Sequence, residues 1–188
     1  MRAMHAARLL ALLWVLGATA AAGADCPEAL SAAERLQAMS NNGRLARDAL
    51  ITLRRQAQDW KNLLLRGSEA GERQTMQIRF DNQSRNYQDQ LEQLRRQLGA
   101  LNFESETMAK LDQEQLKLDQ RYRAALAKHG VADLQAAAAA DREVQGSDVA
   151  SFRALEQLIT AITAKDDALF QQLRMAIGQC GAQPGKSQ

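Results

Sequence analysis

Phe152-Arg153-Ala154-Leu155-Glu156-Gln157-Leu158-Ile159-Thr160-Ala161-Ile162-Thr163-Ala164-Lys165-Asp166-Asp167-Ala168-Leu169-Phe170-Gln171-Gln172-Leu173-Arg174-Met175-Ala176-Ile177-Gly178-Gln179-Cys180 decides the fold class. Phe152, Leu155, Ile159, Ile162, Leu169, Leu173, Ala176 and Cys180 recur every three or four residues, with charge between them. That period places one apolar stripe on a long amphipathic helix. One member of the stripe is an acid, Asp166. It either marks a polar site with Ser40, Asn41 or Arg44, sets helix register, or leans into a wet groove.

Three more segments share this pattern. The first holds Leu36, Met39, Gly43, Ala46, Leu50, Leu53, Ala57, Trp60 and Leu64 on a 3,4 spacing. The second carries Met76, Phe80, Tyr87, Leu91, Leu94, Leu98 and Leu101; the third carries Met108, Leu111, Gln115, Leu118, Tyr122 and Ala125. Nothing alternates with period two, and the prolines are Pro27 and Pro184 alone. The expected fold is all-α, an antiparallel up-down-up-down four-helix bundle.

Breakers fall between the four segments. Arg66-Gly67-Ser68 separates the first two, with Ser68 placed as an N-cap. Leu101 to Glu104 separates the second and third, and Ser105 is placed to cap the third; Gly130 follows His129 as a helix stop. Asp148 is placed to cap the last helix after Gly146-Ser147. At ~1.5 Å per residue the first helix spans about 58 Å and the third only about 36 Å. Val131 to Ser147 is expected to fill the missing height with a short Ala-rich helix capped by Asp133.

The two cysteines, Cys26 and Cys180, stand at the ends of this array. Four antiparallel helices bring both ends together, so a Cys26–Cys180 disulfide is expected. Met1 to Ala24 reads as a secretory signal peptide. Arg2 and Arg8 form its basic region, Leu9 to Leu16 its apolar stretch, and Ala18-Thr19-Ala20 or Ala22-Gly23-Ala24 its cleavage site. The apolar stretch is too short to span a bilayer, which takes about 20 residues. The expected product is periplasmic or secreted, with no membrane insertion after signal removal. One domain, 25–182, would follow the leader, and 183–188 would form a disordered tail.

The leader supplies two of the 24 Lys and Arg and none of the 22 Asp and Glu, leaving 22 against 22. The basic balance therefore belongs to the leader, and nucleic acid is not an expected partner. His129, the one histidine beyond the leader, stands at a helix end, where a cationic ring suits the dipole. With no paired metal-ligand motif, no CxxC, no nucleophile elbow and no phosphate or dinucleotide loop, neither metal nor cofactor nor catalytic residue is assigned. An enzyme is not expected.

If Cys26 meets Cys180, each residue of the first helix lies level with one of the last whose number completes 206. Trp60 is then level with Gly146, and Arg66 with Ala140. The far end would gather Trp60, Lys61, Asn62, Arg66, Tyr122 and Arg123 beside Gly146 and Asp148. Aromatic rings next to fixed cations suit a small anion or carboxylate held between helices. Alternatively, Trp60 and Tyr122 fill core and the charges face water.

The tract Gln56-x-Gln58-Asp59-Trp60-Lys61-Asn62-x-Leu64-Leu65-Arg66-Gly67 resembles the QxQEWKNxLLRG tract in periplasmic four-helix sensor domains of some bacterial methyl-accepting chemotaxis receptors. Tyr122-Arg123-x-x-Leu126 is similar to that family's YRxxL tract, and Val144-Gln145-Gly146-Ser147-Asp148 to its VRGxD element, with Gln145 in place of Arg. The resemblance spans about 45 to 160. It implies an extracytoplasmic bundle, often a homodimer, that senses a small-molecule ligand or a protein partner. Receptors of that type continue their first and last helices into membrane spans and add a signalling region; this sequence has neither. The leading expectation is a free-standing, non-enzymatic sensor-like binding bundle. The alternative is a structural or chaperone-like periplasmic helical interaction protein.

Overall fold

The computed structural model describes residues 26–103 and 106–181. The leader, the Ser105 cap and the 183–188 tail lie outside the described residues. Those described form five helices: α1 (Pro27–Arg66), α2 (Ala70–Ala100), α3 (Glu106–His129), α4 (Leu134–Val144) and α5 (Asp148–Gly181). There is no strand among them, so the fold is all-α.

Each boundary has a local cause. Pro27 opens α1, where its missing N–H costs nothing. α2 ends in a turn with Asn102 at φ 51, a left-handed conformation that Asn tolerates, while Phe103 N donates to the Leu98 carbonyl. Gly130 ends α3 at φ 64, its N–H donating to the Leu126 carbonyl at 2.9 Å. Asp133 caps α4 as expected, its carboxylate accepting from Ala136 N at 2.8 Å. Ser68 does not cap α2. The helix starts at Ala70 with Glu69 in the cap position, and Arg73 Nε instead donates to the Gly67 carbonyl at 2.6 Å.

The chain divides into two compact units. The described part of the smaller comprises residues 26–36 and 168–181, where the Cys26–Cys180 disulfide joins the segments with Cα atoms 6.3 Å apart. Ala29, Leu36, Leu169 and Leu173 are its buried apolar residues. The larger unit is Gln37–Asp167.

In the larger unit the expected stripes of α2 and α3 are buried nearly residue for residue, with Leu101 left half-buried and Ser84 added. On α1 the stripe shifts. Met39, Ala46, Leu53 and Trp60 are buried, but between them the core takes Ala49 and Gln56 while Leu50 and Ala57 are half-buried. An α-helix turns every 3.6 residues rather than 3.5, so a strict heptad stripe drifts by about 20° per repeat. Among the described residues no helix is long and apolar enough to cross a membrane.

Candidate functional site: an aromatic cluster capped by α4

Trp60, Phe80 and Tyr122 come from α1, α2 and α3 and meet in the larger unit. Ring centroids lie 4.7 Å apart for Trp60–Tyr122, 5.2 Å for Phe80–Tyr122 and 5.8 Å for Trp60–Phe80. All three pairs are tilted or edge-on, the arrangement that aromatic quadrupoles favour. Trp60 is 1% exposed and Tyr122 3%, so both rings are packed core. Burial pushes the Tyr122 hydroxyl pKa up, and the Asp148 and Asp141 carboxylates nearby push it further, so the phenol stays neutral.

Above the rings sits Asp141 of α4. Its Oδ1 accepts from Lys61 Nζ at 2.6 Å and lies 3.4 Å from the Trp60 indole Nε1. The carboxylate beside the Trp60 indole is therefore one of the chain's own. Lys61 and Asp141 side chains are 55% and 37% exposed, so the pair is a surface one, worth about 0–1 kcal/mol.

α4 itself is held against the end of α3. Lys128 Nζ donates to Glu143 Oε2 at 3.0 Å, and His129 Nε2 lies 2.6 Å from the same oxygen. These two partners keep the Glu143 carboxyl below its usual range, the His129 hydrogen bond foremost. His129 thus joins two helices rather than only capping one. The neighbouring Arg121 Nη1 donates to Ser147 Oγ at 3.1 Å, tying α3 to the turn before α5.

The six residues expected at this site divide. Trp60 and Lys61 both reach Asp141, and Tyr122 packs on the Trp60 ring. Arg123 turns to Asp119, donating at 2.7 Å, and that carboxylate also accepts from Ser84 at 3.0 Å. Asn62 accepts a weak bond from Gln58 at 3.4 Å, and Arg66 is exposed at the end of α1. Sequence reasoning missed Phe80 as the third ring and Asp141 as the anion. Phe80 was visible as a core position, but nothing near Asp141 in sequence pairs it with Lys61.

Gly67, just past the end of α1, stands where little room is left for a side chain. A Cβ built there would meet the Leu63 carbonyl oxygen and come 2.7 Å from Val131 Cγ2, in the link between α3 and α4. Gly67→Ala is therefore expected to cost about 1–3 kcal/mol through overpacking, read as a shift in urea midpoint. An unchanged midpoint would show that the link yields.

A separate open groove of about 420 Å³ lies along α1 and α2, lined by Arg55, Gln58, Asp59, Arg79, Asn82 and Gln83. Among the described residues no group of three or more His, Cys, Asp or Glu is arranged to hold a metal. Comparison of the chain with protein-family models, curated proteins and solved structures finds no match.

Proposed function

We propose that this chain is an exported, non-enzymatic sensor-like bundle that binds a small molecule at the end where α4 covers the aromatic cluster. In this reading α1, α2, α3 and α5 run up-down-up-down, and the chain works as a soluble receptor, scavenger or adaptor. Contacts in reversed sequence order between α2 and α3, Ser84 with Asp119 and Arg95 with Asp112, support that arrangement, and Gly43 of α1 lies beside Ile162 of α5.

One observation carries the proposal. The three tracts that resemble chemoreceptor sensor domains are far apart in sequence, yet the first two meet and the third is tied to the residue beside the second. Trp60 of the first packs on Tyr122 of the second at 4.7 Å, and Arg121 beside the second bonds Ser147 of the third at 3.1 Å. Packing alone would not require a cation, an indole N–H and a carboxylate to converge on those rings. The ligand class follows from what already fits: a small carboxylate or similar anion, engaged by Lys61 and the indole N–H.

The test is a thermal-shift series of the oxidised protein against small mono- and dicarboxylates, amino acids, inorganic anions and amines. A ligand that binds only the folded state at 100 times its Kd adds about 2.7 kcal/mol, so a dose-dependent rise in Tm is expected for carboxylates. It should be lost in Lys61→Met. A flat response across the carboxylates overturns the proposal.

A second reading, a structural or chaperone-like interaction protein, has one observation in its favour. Ile51, Leu65 and Ile78 of α1 and α2 are 46%, 71% and 51% exposed. It predicts protein partners or a homodimer and no small-molecule stabilisation.

A further inference from the structure

We infer that Asp141 is an internal competitor for the ligand site, and that α4 is a latch which an incoming carboxylate releases. The inference rests on the proposed carboxylate-binding reading for its ligand, but the latch stands on its own contacts.

Three features of α4 make a latch. First, it is short, 11 residues from Leu134 to Val144, and is bracketed by Gly130 at φ 64 and Gly146 at φ 72. A Cβ at either glycine would meet nothing within 4 Å, so each is a turn in open space that only the backbone conformation reserves for glycine. Second, its attachments are unequal. Towards α3 it is held by Glu143, whose one carboxylate oxygen takes both Lys128 and His129. Towards α1 the polar hold among the described residues is Asp141, bonded to Lys61 and Trp60. Breaking that hold lets α4 tilt away from α1 while it stays tethered to α3.

Third, the hold has the right strength. A buried pair leaves an uncompensated charge when broken and would not yield to a dilute ligand. The Lys61–Asp141 pair is half in water, so replacing one carboxylate by another costs little and leaves the cation paired. The incoming carboxylate has differential affinity for the open state, because the single indole N–H is free to donate to it only after Asp141 has left. That difference is what a ligand needs to shift a population.

The experiment pairs Asp141→Ala with hydrogen exchange of α4 and with succinate binding by calorimetry, far-UV circular dichroism serving to check that both proteins fold. Amides 134–144 are expected to exchange about three- to tenfold faster in D141A, with α2 unchanged. Succinate is expected to bind D141A about three- to tenfold more tightly than the parent protein. In the parent protein, succinate should speed α4 exchange more than chloride at equal ionic strength. Unchanged exchange in D141A overturns the latch. Equal or weaker succinate binding by D141A overturns the competition. Succinate binding by neither protein overturns the carboxylate-binding reading and the competition, while the exchange result still decides the latch.

Discussion

Trp60→Ala is expected to cost about 3–5 kcal/mol, the range for truncating a large buried aromatic. The ring is 1% exposed and packs at 4.7 Å on Tyr122 and 5.8 Å on Phe80. That range already includes the cavity left behind, and the two aromatic pairs lost, at about 0.5–1.5 kcal/mol each, place the cost in its upper part. Lys61→Ala, one residue along, removes a half-exposed pair and should cost no more than about 1 kcal/mol. Urea unfolding followed by circular dichroism measures both. The ordering matters more than either value. If the Trp60 variant lost under about 1 kcal/mol, the rings would be a loosely held surface rather than core, and ligand binding through them would be the simpler reading. Because Trp60 is so deeply packed, its loss cannot serve as a clean test of binding; Lys61 and Asp141 can.

Reducing Cys26–Cys180, or replacing Cys180 by Ser, is the second large effect. The bridge spans 154 residues of sequence. Loop-closure entropy puts the stabilisation from so long a loop near 5 kcal/mol, an upper figure that residual unfolded structure lowers. The smaller unit has few buried apolar groups among its described residues, chiefly Ala29, Leu36, Leu169 and Leu173, so the crosslink matters most there. A fall in Tm on adding reductant is expected, with fast exchange at residues 26–36 and 168–181 preceding that of 37–167. If reduction left both unchanged, helix packing alone would be holding the two segments together.

Much of this architecture was legible in the residues. Leu111, Leu118, Tyr122 and Ala125 declare their face by spacing, because a helix with one apolar stripe has one way to hide it. Asp133 and Gly130 act through bonds to residues three or four away, so their roles are readable from a few letters. Ser68 does not serve as a cap because the turn after Gly67 has its own partner, Arg73, whose guanidinium takes the carbonyls of the link. Gln56 was not recognised as core, since a fully buried amide breaks the apolar pattern that reveals the rest.

The site shows the limit more sharply. Sequence alone determined that Trp60, Lys61 and Tyr122 belong to helix ends at a similar height, because height along a helix is a count of residues. It also determined the all-α class, which follows from periodicity, and it pointed to the pairing of the two cysteines, an even pair at the two ends of the helical array. Only the tertiary structure decided that the rings close into a packed triad with Phe80, that Arg123 turns to Asp119, and that Asp141 takes the place beside Lys61. Those outcomes depend on which face each helix turns towards its neighbours. Packing settles that rotation to within an ångström, and no local pattern of residues encodes it.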